Sequence, residues 1–106
     1  MRPFALALIA GLLACSPGEA AGSKPVTVKV TIEAMQFSPA DVTVRPGDTV
    51  VWTNNDLVAH TVTSKAGVFD SKVIPPGRSW TLVAKRKGDF AYICSLHPMK
   101  ASLTVR

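Results

Sequence analysis

Apolar and polar residues alternate along most of the chain from residue 26 onwards, and this period of two constrains the fold more than any other feature. In the clearest run, over 26–33, every even position is Val or Ile and the odd positions hold Thr, Lys or Glu. Similar runs follow at 42–44, 50–52, 80–84, 90–94 and 103–105. β-Branched and aromatic residues dominate them, which is typical of half-buried β-strands.

Turn-forming residues separate these runs. The turn signals are Ser38-Pro39, Pro46-Gly47-Asp48, Asn54-Asn55-Asp56, Pro75-Pro76-Gly77 and Gly88-Asp89. Since no segment between them has a helical period, we predict an all-β domain, an antiparallel β-sandwich of seven to eight short strands. We assign residues 26–106 to this domain and the small, polar, Gly- and Pro-rich residues 16–25 to a flexible linker before it.

Residues 1–15 have the pattern of a secretory signal peptide. A short positive start precedes an apolar run over 4–14, which is too short to span a bilayer as a helix. The run ends in Leu12-Leu13-Ala14-Cys15, which resembles the lipobox of bacterial lipoproteins and implies that Cys15 is acylated at the mature N-terminus. The alternative is ordinary cleavage after Ala20, which gives a soluble product. Both alternatives predict export to the bacterial periplasm, with a lipid on Cys15 as the sole membrane attachment expected.

The formal net charge of +5 does not indicate a nucleic-acid-binding protein. The Lys and Arg residues are scattered, the one run is Lys85-Arg86-Lys87, and no aromatic residue interrupts it. The charge favours an acidic protein partner. The cations that are candidates for steering such a partner, if they share a face, are Lys65, Lys85, Arg86, Lys87 and Lys100.

The stretch Cys94-Ser95-Leu96-His97-Pro98-Met99 places three possible metal ligands within six positions. Export makes an unpaired cysteine notable, and Cys94 has no partner in the chain if Cys15 is lipidated or removed. Pro98 restricts its own backbone and that of His97, so the turn that carries these side chains is stiff.

The donor types restrict the metal. A thiolate with imidazoles suits copper or zinc, but structural zinc needs four strong ligands, whereas His₂Cys with a weak thioether is the donor set of a blue-copper site. A second histidine is required, and the chain has one other, His60, at the exit of the loop after residue 54. We therefore predict one type 1 copper ion per chain.

The chain as a whole resembles the cupredoxins, in particular the small amicyanin, plastocyanin and pseudoazurin type. The matching stretches are MQFSPADVTVRPGDTVVWTNND, VAHTV, GVFDSKVIPPGRSW and GDFAYICSLHP, in the order of the family. The resemblance implies a Greek-key β-sandwich with copper at one end and His60, Cys94 and His97 as the equatorial ligands. It also implies that Thr61 fixes the ligand loops by hydrogen bonds.

The axial ligand is the point where the sequence departs from the family pattern. The shortest family loop has the spacing Cys-x2-His-x2-Met, whereas Pro98 alone separates His97 from Met99 here. We take Met99 as the axial ligand, with the carbonyl of Ala59 and the thioether of Met35 as the alternatives.

The small number of histidines argues against an enzyme. Multicopper oxidases and copper nitrite reductases need further histidines, and the chain has none besides His60 and His97. We predict a monomeric one-electron carrier that docks a redox protein near His97, on an apolar surface formed by Leu57, Val58, Leu96 and Pro98. Two other functions stay open: a periplasmic copper-binding protein for copper tolerance, buffering or delivery, and a metal-free adhesion or scaffold module.

Overall fold

The structure is a computed structural model that describes residues 24–106. The predicted signal peptide with Cys15 and most of the predicted linker lie outside the described residues and stay predictions. The described strands are β1 (Thr27–Glu33), β2 (Gln36–Ser38), β3 (Asp41–Val44), β4 (Thr49–Asn54), β5 (Thr63–Ser64), β6 (Ser79–Val83), β7 (Gly88–Cys94) and β8 (Met99–Val105). Within this range, no helix has the length and apolar character needed to cross a membrane.

The eight strands form two sheets of four. One sheet has the order β2-β1-β4-β6 and the other has the order β3-β8-β7-β5. Alternate residues of each strand face the partner sheet, so that in β1 the side chains of Val30 and Ile32 are buried while Lys29 and Glu33 are exposed. The predicted β-sandwich is confirmed, and its core lies between the sheets.

Each sheet contains one parallel pair of strands, which the prediction of an antiparallel sandwich did not include. β1 runs parallel to β4, and β3 runs parallel to β8, whereas the other neighbours are antiparallel. Successive strands change sheet from β2 to β7, so among the described strands only β1 with β2 and β7 with β8 are neighbours both in the sequence and in a sheet. The alternation of side chains reports which face of a strand is buried but not the direction of its neighbour.

Aromatic side chains fill the core below the end of β7. Trp52 and Tyr92 are fully buried, and Trp52 Nε1–H donates a hydrogen bond to Tyr92 Oη at 3.1 Å. Burial raises the pKa of Tyr92 to about 12 against the opposing effect of this hydrogen bond, so the hydroxyl stays neutral. Trp80 packs on Trp52 with ring centroids 5.5 Å apart. This packing fixes β7 two residues before Cys94.

The turn between β1 and β2 has an unusual backbone. Ala34 and Met35 both have positive φ, at 55° and 61°. A two-residue hairpin turn with this backbone normally contains Asn or Gly, because a Cβ atom disfavours the left-handed region. Met35 is 40% exposed in this turn and does not belong to the core.

Candidate metal centre

The site lies at the end of the sandwich where β4 finishes at Asn54. The buried side chain of Asn54 fixes the loop that follows, because its Nδ2 donates to the carbonyls of Val58 and Ile74, each at 2.9 Å. Its Oδ1 accepts a hydrogen bond from the N–H of Asp56, also at 2.9 Å. Residues 54–56, which the sequence predicted as a turn, therefore begin a loop that these hydrogen bonds fix and that leads to His60.

His60 is completely buried. Its backbone pairs with Ile74, since each N–H donates to the other residue's carbonyl, at 3.2 and 2.7 Å. On the ring, Nε2 lies 2.7 Å from Asp56 Oδ2, and Nδ1 lies 3.6 Å from Cys94 Sγ. The imidazole is thus held from one side and presents its other nitrogen to the thiol.

The structure brings His60, Cys94 and His97 together. Cys94 ends β7, and His97 lies in the turn 95–98 that leads to β8. His97 Nδ1 is 3.9 Å from Cys94 Sγ, and the potential ligand atoms of all three residues lie within 4.8 Å of one another. Because His97 is half-buried while His60 is fully buried, the site reaches the surface through His97.

The environment of Cys94 favours its thiolate. Burial raises the pKa of the thiol, but the N–H groups of Thr61 and Leu96, which donate to Sγ at 3.4 Å each, outweigh this effect together with the two imidazoles. The resulting pKa is about 6. The thiolate, which is the form that binds metals, therefore predominates at neutral pH.

Thr61 ties the two ligand-bearing segments together. Its Oγ1 accepts a hydrogen bond from Ser95 N–H at 2.8 Å and lies 3.1 Å from Ser95 Oγ. A further contact of 2.9 Å joins it to the hydroxyl of Thr63. The bonding role that the resemblance implied for Thr61 is therefore present in the structure.

Met99 begins β8 directly opposite Cys94. The two residues are paired in the β7–β8 ladder, and both are buried. Directly opposed residues project from the same face of a sheet, so the thioether and the thiol share the inner face. Of the alternative axial donors, Ala59 precedes His60 and is half-buried, and Met35 lies in the β1–β2 turn.

Sequence reasoning missed Asp56. It was assigned only to a turn, although it lies four residues before His60 and contacts the ring of that histidine. Hydrogen bonding by the N–H of Met35 and then by His60 and the N–H of Ala34 lowers the pKa of Asp56, against the opposing effect of burial. A carboxylate this close to a candidate ligand is the signal that was available.

Comparison with known proteins identifies the family. A family model described as a cupredoxin-like domain matches residues 4–105. The chain belongs to the cupredoxin family. This is the family that the matching sequence stretches and the β-sandwich of this cupredoxin both indicated.

Two curated relatives show where this cupredoxin lies within the family. Amicyanin of Paracoccus versutus is 29% identical over 87 residues, which cover 77% of this chain and 66% of the relative. A chloroplastic plastocyanin of Tetradesmus obliquus is 32% identical over 80 residues, covering 60% of this chain and 52% of the relative. The cupredoxin thus spans less than two thirds of the length of these two relatives. A solved structure of an amicyanin mutant in its reduced Cu(I) form superposes with a TM-score of 0.71 at 28% identity, covering 86% of this chain and 92% of that one.

Copper is the cofactor of this family, and the donor geometry of this cupredoxin fits it. With bond lengths known for zinc, a thiolate at about 2.3 Å and an imidazole at about 2.05 Å, a trigonal site separates S from N by about 3.8 Å. The two separations observed here are 3.6 and 3.9 Å. Among the described residues, His60, Cys94 and His97 form the one group of this kind. A thiolate with two imidazoles and a thioether nearby matches type 1 copper.

Proposed function

We propose that this cupredoxin is an exported one-electron carrier with one type 1 copper ion, whose equatorial ligands are His60, Cys94 and His97. The fourth ligand in this proposal is Met99, at the axial position. The observation that carries the proposal is the trigonal spacing of three donors that lie within 4.8 Å of one another.

The chain's own residues supply the rigidity that such a carrier needs. Thr61 and Leu96 N–H groups fix the thiolate, Asp56 fixes the ring of His60, and the β7–β8 ladder fixes Met99. When bound, copper supplies the one-electron couple. Because the protein makes these contacts without the metal, we expect Cys94, His60 and Met99 to change position little between the two oxidation states.

The surface around His97 supports electron exchange with a protein. The residues there, which we call the His97 face, are Leu57, Val58, Leu96 and Pro98; all four are exposed, and Leu57 is 95% exposed. A contiguous exposed apolar patch rimmed by polar residues is typical of a contact site. Short-lived redox encounters use small interfaces of this kind, and we propose that a redox protein docks here.

The basic residues do not gather on the His97 face. The run at 85–87 precedes Gly88, six residues before Cys94 on β7, so it lies about 20 Å from the copper end. Lys65 and Lys100 instead flank a shallow depression on the outer side of β7 and β8. The five cations were candidates for steering an acidic partner only if they share a face, and on these positions we restrict such steering to Lys65 and Lys100.

The sequence pattern of residues 1–15 supports export, with either anchoring by a lipid or release into the periplasm. Mass spectrometry of the mature N-terminus separates these two products. An acylated Cys15 identifies the lipoprotein, and a free Ala21 identifies the soluble form.

The purified protein tests the function directly. We expect Cu(II) to give an intense visible band from thiolate-to-copper charge transfer, and a reductant to bleach it reversibly in a one-electron titration. A colourless protein with full copper occupancy would contradict the type 1 site. A coloured protein whose copper fails to cycle would instead favour copper buffering or delivery.

A further inference from the structure

One carboxylate joins the β1–β2 turn to the buried histidine. Ala34 N–H donates to Asp56 Oδ1 at 2.7 Å, and Met35 N–H donates to Oδ2 at 3.0 Å. The same Oδ2 lies 2.7 Å from His60 Nε2. Asp56 itself is held by the side chain of Asn54, which accepts its N–H. The carboxylate therefore has three hydrogen-bonding partners: two N–H groups of the β1–β2 turn and the ring of His60.

The turn depends on this carboxylate. Ala34 and Met35 both occupy the left-handed region, where residues with a Cβ atom are uncommon. Their N–H groups project together towards Asp56, which satisfies both of them. The conformation of the turn and the position of the carboxylate thus stabilise each other.

The histidine depends on it as well. A carboxylate accepts hydrogen bonds and does not donate them, so the proton of the neutral ring lies on Nε2. Nδ1, which is 3.6 Å from Cys94 Sγ, is then free to bind the metal. A carboxylate on the far nitrogen of a ligating histidine fixes its tautomer and orientation and raises its basicity.

We propose that Asp56 is a positioning residue that sets the preference of the site for Cu(II) over Cu(I) through His60, and that the β1–β2 turn holds it in place. This inference rests on the proposed copper site. A negative charge on the far side of the ring increases electron donation from Nδ1, and this donation stabilises the more highly charged ion.

Asparagine cannot replace Asp56. Its carbonyl oxygen can accept from His60 and Met35 N–H, but its amide group then faces the N–H of Ala34. In the opposite orientation the amide group faces the ring N–H of His60. In either orientation the amide N–H groups of the asparagine face another N–H donor. The substitution also removes the negative charge in both orientations.

Asp48→Asn is the matched control. The buried carboxylate of Asp48 also accepts two backbone N–H groups, from Val26 and Arg45, each at 2.9 Å. It precedes β4, at the opposite end of that strand from Asn54, and within residues 24–106 its side chain bonds to Val26 and Arg45 and to no histidine. Both substitutions remove a carboxylate that accepts hydrogen bonds from two backbone N–H groups. Only the carboxylate of Asp56 also contacts a candidate metal ligand.

The experiment measures Cu(II) and Cu(I) affinities separately, by chelator competition, on the full protein and its variants. For Asp56→Asn we expect the Cu(II) affinity to fall about tenfold more than the Cu(I) affinity. That ratio corresponds to a rise of about 59 mV in the reduction potential. Asp48→Asn should leave the ratio of the affinities unchanged while lowering the stability of the fold.

Ala34→Gly separates the two roles of Asp56. Glycine adopts positive φ without the strain of a side chain. Combined with Asp56→Asn, it should restore part of the lost resistance to denaturant without restoring the ratio of Cu(II) to Cu(I) affinity. An unchanged ratio in Asp56→Asn, or a ratio that recovers with Ala34→Gly, would overturn the proposal.

Amide hydrogen exchange of the metal-free protein tests the link to the turn independently of copper. In Asp56→Asn, the amides of Ala34 and Met35 should exchange at least tenfold faster than in the parent, and in Asp48→Asn they should not. Unchanged exchange would refute the link between Asp56 and the turn. If copper binds but does not cycle, the proposed electron carrier fails, while the affinities and the exchange rates still decide the role of Asp56.

Discussion

Cys94 combines burial with an unusually stable thiolate. The backbone N–H groups of Thr61 and Leu96 donate hydrogen bonds to its sulfur. Serine is nearly the same size but is a poor ligand for copper in this geometry. Cys94→Ser should therefore abolish the visible charge-transfer band and leave a folded sandwich, as measured by absorption and circular dichroism. Retention of the band would show that another thiol binds the copper.

Asp48 gives a prediction that does not involve the metal. Hydrogen bonds from the N–H of Val26 and then of Arg45 lower the pKa of Asp48 from its usual value of 3.8. A lowered pKa in the fold means that the carboxylate stabilises the protein above the unfolded value, and that this contribution is lost as pH falls through the folded value. The pH window therefore lies below 3.8.

The test compares the metal-free protein with Asp48→Asn by denaturant unfolding at several pH values. The difference between their free energies of unfolding should be full at about pH 6 and should shrink below about pH 4. A difference that is constant across this range would mean that the carboxylate charge contributes nothing to the fold.

The turn between β7 and β8 is the element that determines the axial ligand. The turn has only four residues, 95–98, and β8 begins at Met99, directly opposite Cys94. Met99 N–H donates to the His97 carbonyl at 2.8 Å. Met99→Leu should raise the reduction potential, because loss of a thioether donor destabilises Cu(II) more than Cu(I). Electrochemistry measures the change. An unchanged spectrum and potential would remove Met99 from the ligand set in favour of the Ala59 carbonyl or Met35.

Insertion of one residue after Pro98 restores the spacing of the longer family loop. The insertion shifts Met99 relative to His97 but leaves the other three candidate ligands in place. We expect copper to remain bound while the absorption spectrum and the potential both change. Loss of copper would show that the short turn positions His97 rather than only the thioether.

The longer strands were predictable because each one carries its own alternation, whereas β2 and β5, with three and two residues, are too short to show one. In β7, the buried positions of Tyr92 and Cys94 follow from the alternation alone. The pairing of β1 with β4 was not predictable, because strand direction depends on partners that are remote in sequence. The contact of Asp56 with Ala34 was not predictable for the same reason, since it arises only when the β1–β2 turn meets the loop after β4. Its contact with His60, four residues along the same loop, is the part that the sequence could have indicated.

At the scale of the whole molecule, the His97 face and the basic run at 85–87 lie apart, since the run precedes Gly88, about 20 Å from Cys94 along β7. Electron self-exchange between oxidised and reduced copies should proceed through the His97 face. Leu57→Ser removes an exposed side chain from this contact, at a cost of about 1 kcal/mol, which slows exchange roughly fivefold. Line broadening in NMR spectra of mixed oxidation states measures the rate, and the reduction potential should not change.

Lys85→Ser is the control for that experiment. It removes an exposed side chain before Gly88, about 20 Å from the copper end, and lowers the net charge by a single unit. Its self-exchange rate should match that of the parent protein at moderate ionic strength. A slower rate for Lys85→Ser than for Leu57→Ser would place the exchange contact elsewhere on the surface.

The parallel pairing of β3 with β8 makes one edge of the molecule depend on a strand that comes late in the sequence. β3 is an edge strand whose one neighbour is β8, and its residue Asp41 pairs with Ser102, far along the chain. A chain whose β8 has not yet been synthesised leaves β3 without its partner and Cys94 without Met99 opposite. The proposed set of four copper ligands is therefore complete only when β8 has paired with β7, so a chain in which β8 is not yet paired would hold copper without its axial donor.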